Sequence, residues 1–196
     1  MKTLIFDLGN VLINVDTDKL INKLKDTFVL SIEEMENFEK AHHHSFYTGR
    51  ISGMEFYQKF KSTSQTDVTY DDFATLWSNI FSYNKEMIEY ISKLPVDDIR
   101  IVIASNTDPI HIGHIKENFP LPFEYSEFFS YDEGFIKPED GFYIKLISKY
   151  SIDLKNAIFF DDLEQNIKGA LKNRITSYLH KDTSLTIKRI QNFLGL

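Results

Sequence analysis

Residues 157–162 read Ala-Ile-Phe-Phe-Asp-Asp, four apolar positions followed at once by two carboxylates. So short a continuous apolar run suits a strand buried on both faces, as in a parallel sheet covered by helices. Three other runs have the same character: Thr3–Phe6, Ile99–Ala104 and Ile175–Leu179. Helix signals lie between the later ones. Asp108-Pro109 offers an N-cap and a proline suited to the first helical position, opening a helix to about Asn118. Phe142, Leu146 and Tyr150 form one stripe of a helix from about Glu139 to Tyr150, and further helices are expected over Asn166–Leu171 and Thr183–Phe193. Strands alternating with helices predict βαβ units and an α/β fold, a Rossmann-like parallel sheet with helices on both faces.

From about Asn14 to Tyr90 the pattern changes. No clear buried strand is visible, and helix starts accumulate: Ser31 with Glu34, and Ser52 with Glu55, both match the capping box, while Thr69 to Asp72 is a weaker version. Aromatics such as Phe38, Phe56, Phe60, Phe73 and Trp77 crowd this stretch, and at helical spacing they read as the core of a small bundle, which can still cover a site. The expectation is a helical cap, 15–90, inserted after strand one into a core made of 1–14 and 91–196.

Hydrophobic residues make up 42% and charged residues 26% of the 196, which excludes disorder and coiled coil as the main architecture. Acidic residues outnumber basic ones 29 to 22, for a formal charge of -7. Such a surface repels nucleic acid and anionic membranes on average, so neither is expected as a partner. The absence of cysteine excludes disulfides, thiol nucleophiles and thiolate zinc sites. Leu4-Ile5-Phe6 stops at Asp7, too short for a signal sequence, and no apolar run could span a membrane. A cytoplasmic protein, monomer or homodimer, is expected.

Polar residues follow three of the strands: Asp7 after the first, Ser105-Asn106-Thr107-Asp108 after the second, Asp161-Asp162 after the 157–160 run. Ligands of open α/β sheets bind beyond the carboxyl ends of the strands. Carboxylates gathered there repel unless a cation sits among them. Oxygen donors without cysteine fit a hard ion, Mg²⁺, held by one or two carboxylates plus waters and substrate phosphate. Lys137, in Gly134-Phe-Ile-Lys-Pro138, falls between the second and third strand ends, and beside such a cluster it reads as a phosphate clamp or a structural counterion.

FDLGNVL at Phe6–Leu12, IASNTD at Ile103–Asp108, IKPE at Ile136–Glu139 and FFDDLEQNI at Phe159–Ile167 resemble, in order, the four motifs of the haloacid dehalogenase (HAD) superfamily. The long interval between Asp7 and Ser105 matches the helical cap that this superfamily often inserts. The first and last motifs look most like the branch containing sugar-1-phosphate phosphatases and the phosphatase domain of soluble epoxide hydrolase. The resemblance implies a Mg²⁺-dependent phosphatase acting on a small phosphorylated metabolite through an aspartyl-phosphate. Asp7 would be the nucleophile. Asp7, the carbonyl of Gly9 and Asp162 would hold Mg²⁺, with Asp161 as an auxiliary ligand. Ser105 and Lys137 would grip the phosphoryl oxygens, Asn106 adding its backbone or its amide.

One departure stands out. Many phosphatases of the superfamily carry an acid two residues after the nucleophile; this chain has Gly9. General acid catalysis is worth roughly 10²–10⁴ in rate, so the reaction needs either another proton source or a leaving group that departs easily, which favours aldose 1-phosphates, aryl phosphates and acyl phosphates. Rival readings are a metal-independent 2-haloacid dehalogenase, in which Asp161-Asp162 has no task, and a catalytically weak sugar-phosphate binder, suggested by Gly9. A receiver domain is a poorer match, because its acid pair ends the first strand. His42-His43-His44 cannot converge on one ion from a helix, since consecutive side chains point about 100° apart. Arg50 lies where it could reach a substrate from the cap, although a solvated arginine is the plainer reading.

Overall fold

The computed structural model describes residues 1–28, 31–64, 67–95 and 98–196. The chain starts with β1 (Lys2–Phe6) and β2 (Ile13–Val15), then α1 (Thr17–Phe28), α2 (Ile32–Tyr47), α3 (Gly53–Ser64) and α4 (Tyr70–Ser78). It returns through β3 (Phe81–Tyr83) and α5 (Lys85–Ser92) to β4 (Ile99–Ser105), α6 (Pro109–Asn118), β5 (Ser126–Phe129) and the short α7 (Ser130–Glu133). There follow α8 (Asp140–Tyr150), β6 (Ala157–Asp161), α9 (Glu164–Lys172), β7 (Thr176–Leu179) and α10 (Thr183–Leu194).

Five strands form a parallel sheet in the order β5-β4-β1-β6-β7. β1 is central: Leu4 lies opposite Ile101 on one side and Ile158 on the other. Successive side chains of a strand point to opposite faces, and both faces are covered. Leu4 and Phe6 pack with Met87, Ile88 and Ile91 of α5, with Ile112 and Ile115 of α6, and with Ile190 of α10. Ile5, between them, packs with Phe142 and Leu146 of α8 and Ala170 of α9. The expected α/β sheet with helices on both faces is the observed one.

Two features differ from expectation. β5 is a fifth parallel strand: its Ser126 and Glu127 are only half-buried at the sheet edge, so no apolar run announces it. β2 and β3 pair antiparallel, Ile13 opposite Tyr83, forming a neck where the chain leaves and re-enters the core. The boundary expected at residue 90 falls inside α5, whose apolar side packs on the sheet.

The helices between the two neck strands form their own core, in which Leu24, Phe28, Phe38, Phe56, Phe60 and Phe73 cluster with Trp77. The Phe46 and Phe56 rings stack at 4.0 Å, and Phe28 meets Phe60 edge-on at 4.8 Å. Both capping boxes form: Ser31 N donates to Glu34 Oε2 at 2.8 Å and Ser52 N to Glu55 Oε2 at 2.7 Å, with the reciprocal serine bonds in place. Ile110 of α6 belongs to this cluster too, so α6 joins bundle to sheet. At a second contact the Gly49 backbone, φ 69°, lies so close to Tyr131 that a Cβ would sit 2.0 Å from its carbonyl oxygen. Only glycine fits there. Among the described residues no helix is long and apolar enough to cross a membrane.

Candidate active site

The order of strands along the chain reverses at β1, so the crevice beyond its carboxyl end is the topological switch point of the sheet. Asp7 stands there. Its N–H donates to Phe160 O at 2.8 Å, extending the β1–β6 ladder by one residue. Its Oδ1 accepts from Leu8 N at 2.7 Å and lies 3.0 Å from Lys137 Nζ.

Asp161 closes β6 beside it and is fully buried. Its carboxylate accepts from Leu163 N at 2.9 Å, from Asn166 Nδ2 at 2.9 and 3.1 Å, and from Lys137 Nζ at 2.6 Å. That carboxylate is therefore saturated by the protein itself. Asp162, half-buried, makes a single side-chain bond among the described residues, accepting from Asn10 Nδ2 at 3.0 Å. Asp7, Asp161 and Asp162 each bring one oxygen to within 4.8 Å of the others.

Lys137 reaches this cluster from the loop before α8. Its ammonium is buried and also donates to Ala104 O at 2.9 Å. Burial works against the charged form, but Asp161 and Asp7 together hold its pKa above the usual lysine value. Asp7 is affected oppositely: burial, aided by Asp161 and Asp162, raises it to about 7 against the pull of Lys137. Three carboxylates thus gather around one ammonium that pairs with only two of them, Asp7 and Asp161, and such a cluster favours a bound cation. Asp162 and Asp7 are the two carboxylates with oxygens to spare, a donor set of hard oxygens suited to a small divalent ion.

Ser105 ends β4, buried, and among the described residues its hydroxyl has only a long 3.5 Å contact, to Asn106 O. Ser105, Asn106 and Gly9 border a cavity of about 120 Å³ together with Tyr47 and His111. The Asn106 amide is committed elsewhere: Oδ1 accepts from Lys137 N at 2.7 Å and Nδ2 donates to Lys137 O at 2.8 Å. Of the two routes expected for Asn106, the amide serves Lys137. Nothing in the backbone demands glycine at position 9, because φ is not positive and an added Cβ would meet only Val15 Cγ2, at 3.4 Å.

Several further residues brace the cluster. Asn10 adopts φ 53°, a left-handed conformation that asparagine tolerates, and spends its Oδ1 on Val15 N at 3.0 Å while its amide holds Asp162. Ser130 Oγ bonds both Thr107 N, at 2.9 Å, and Thr107 O, at 3.0 Å, tying the end of β5 to the loop after β4. Asp108 caps α6, its Oδ1 accepting from Ile110 N and His111 N, both at 2.9 Å. Its Oδ2 lies 2.7 Å from His111 Nδ1 and accepts from Trp77 Nε1, in the helical bundle, at 3.3 Å. The three consecutive histidines part company as expected: His42 meets the Phe38 ring, His43 stacks on Tyr47, and His44 Nε2 lies 3.0 Å from Glu139 Oε1. Arg50 is exposed and makes no side-chain bond among the described residues.

The family model of haloacid dehalogenase-like hydrolases matches residues 1–172. Among solved structures, the chain is similar to a HAD-family enzyme of Bacteroides thetaiotaomicron solved with magnesium and inorganic phosphate. The two are 25% identical, the match covers 95% of this chain and 98% of that one, and the TM-score is 0.85. A HAD-like family hydrolase of Porphyromonas gingivalis has the same fold, with 23% identity over 97% of each chain and a TM-score of 0.84. An L-2-haloacid dehalogenase is more distant, at 13% identity and a TM-score of 0.64. With a model match over most of its length and the motif residues gathered at one rim, this chain belongs to the haloacid dehalogenase-like hydrolases.

Proposed function

We propose that this hydrolase is a Mg²⁺-dependent phosphatase of small phosphate monoesters, working through an aspartyl-phosphate. The observation that carries this reading is the convergence of Asp7, Asp161 and Asp162 on one point, with Lys137 buried between two of them. Mg²⁺ would be held by Asp7, the Gly9 carbonyl and Asp162, with Asp161 behind them orienting Lys137. The ion would supply charge neutralisation at the phosphoryl group. A metal-free dehalogenase would leave Asp162 and its Asn10 support without a task.

In the first step a carboxylate oxygen of Asp7 attacks phosphorus, the P–O ester bond breaks, and the alcohol oxygen departs with the electron pair. Lys137 and the Ser105 hydroxyl bind non-bridging phosphoryl oxygens, placing positive charge and a donor where negative charge gathers. In the second step water attacks the phosphorus of the acyl phosphate, releasing inorganic phosphate and restoring Asp7. No acid stands at Gly9 to protonate the leaving oxygen, so leaving groups of low basicity are favoured: those of aldose 1-phosphates, aryl phosphates or acyl phosphates. The helical bundle between the neck strands serves as a cap that excludes water from the rim.

Phosphate release from a panel of such esters, with Mg²⁺ and with EDTA, tests the reading. Turnover that needs Mg²⁺ and is lost in Asp7→Asn supports it. Folded, Mg²⁺-loaded protein that releases no phosphate from any of them would favour a binding protein instead.

A further inference from the structure

A cavity of about 330 Å³ lies inside the cap, apart from the residues given roles above. Its inner wall is made by Leu24 of α1, Phe38 of α2, Phe56 and Phe60 of α3 and Trp77 of α4, all of them buried. The polar residues bordering it, Thr17, Glu36, Glu39 and His43, are exposed or half-buried and lie to the solvent side. The chamber adjoins the cavity beside the reaction centre. Tyr47 borders both it and the cavity against Gly9, Ser105 and Asn106. An outer cleft lies beside both, bordered by Thr17 of the chamber and Val15 of the Gly9 cavity.

We propose that this chamber receives the leaving group, and that the substrates are phosphate monoesters of flat, apolar alcohols, aryl phosphates foremost. This rests on the phosphatase reading and narrows it.

Two independent features point the same way. Apart from the Tyr47 hydroxyl, the wall offers aromatic faces and edges and no polar side chain at depth, so a ring can pack in offset or edge-on geometry. A sugar placed there would leave its hydroxyls unpaired, at a cost on the order of tenfold in affinity for each. Gly9 supplies no proton, and an aryloxide, unlike an alkoxide, departs without one. Tyr47 fits between the two features. Its hydroxyl has no hydrogen-bond partner among the described residues, and burial, then the nearby Asp108 and Glu39 charges, keep it a phenol well above the usual range. It is therefore free to donate a hydrogen bond to the ester oxygen. Glu36 and Glu39 at the solvent side disfavour an alcohol with an anionic far end.

The test compares kcat/KM for acetyl phosphate, phenyl phosphate, 2-naphthyl phosphate and glucose 1-phosphate with Mg²⁺. Acetyl phosphate has a small leaving group that needs neither chamber nor acid, so it reports on the phosphatase reading alone. The expected result is a preference of about 100-fold for the aryl esters over glucose 1-phosphate, two unpaired hydroxyls' worth. Leu20 of α1, half-buried, also lines the chamber, and in Leu20→Trp, which narrows it, the ratio of 2-naphthyl to acetyl phosphate turnover should fall about tenfold or more. Trp77 is the only tryptophan of the chain, so p-nitrophenol should quench its fluorescence saturably and inhibit competitively, even if the Leu20 variant fails to fold. Acetyl phosphate hydrolysis with glucose 1-phosphate equal to or better than the aryl esters, or quenching that never saturates, overturns the chamber proposal and spares the phosphatase. Hydrolysis of none of the four overturns both.

Discussion

Asn106 and Lys137 exchange two hydrogen bonds, side-chain amide to backbone peptide, at 2.7 and 2.8 Å. The lysine that reaches Asp7 and Asp161 is thus fixed at its backbone by a residue of another strand end. A side chain that had to find this position anew in each molecule would lose the advantage of preorganised charge.

Replacing that clamp separates positioning from contact. Asn106→Ala should lower stability by about 1–3 kcal/mol, the cost of leaving buried peptide groups unpaired. It should also lower kcat about tenfold or more while changing KM less, because Lys137 is displaced rather than removed. Asn106→Asp, which still accepts from Lys137 N, should recover part of the loss. Denaturant melts and steady-state kinetics on the two variants check this.

The raised pKa of Asp7 has a stability consequence. Its folded value of about 7 exceeds the ordinary carboxylate value of 3.8, so between those pH values the folded state binds the proton that the unfolded state has lost. The linkage slope is then negative: metal-free protein should lose stability as pH rises from about 4 to 7, by on the order of a few kcal/mol. Mg²⁺ should return much of it at pH 8. Asp7→Asn, which carries no titrating group there, should flatten the slope and melt higher than the metal-free parent at pH 8. Thermal melts across pH with EDTA or Mg²⁺ provide the measurement.

The space at Gly9 makes the missing acid restorable. A Cβ meets only Val15 Cγ2 at 3.4 Å and the backbone is not left-handed. Gly9→Asp should therefore fold and should raise turnover of alkyl phosphates by about 10², with little change for aryl phosphates, whose leaving groups need no proton. Equal stimulation of both ester classes would remove the leaving-group argument.

Asp108 couples the cap to the loop after β4. It is buried with His111 and Trp77 around it. Burial opposes its ionisation, but His111 and the surrounding donors hold its pKa below the usual aspartate value. A depressed value means stability that is present above the ordinary pKa and lost as pH falls through the folded one. Asp108→Asn should reduce this acid sensitivity, cost about 1–3 kcal/mol near neutrality and speed hydrogen exchange in α4, which carries Trp77. Exchange in β1 and β6 should stay slow.

The residues that were plain in the sequence are those whose type is dictated by a single surrounding. β1, β4 and β6 lie between two layers of helices and read as unbroken apolar runs, and their polar endings mark the rim. β5 was hidden because an edge strand with Ser126 and Glu127 in it needs no apolar run. Asn10 and Asn166 hold Asp162 and Asp161 through tertiary contacts 152 and 5 positions away, and the longer reach has no local signal. The aromatics of the cap announced a core. That Phe38, Phe56, Phe60 and Trp77 leave a chamber among them depends on how four helices pack, which spacing alone does not encode.

The most direct test of the central claim is to mix Mg²⁺-loaded protein with an aryl phosphate, quench in acid during turnover, and locate the phosphoryl group by peptide mass spectrometry. The expected result is phosphorylation of Asp7, absent with EDTA and absent in Asp7→Asn. Mg²⁺-dependent phosphate release that persists in Asp7→Asn, with no acyl phosphate on any residue, would contradict it.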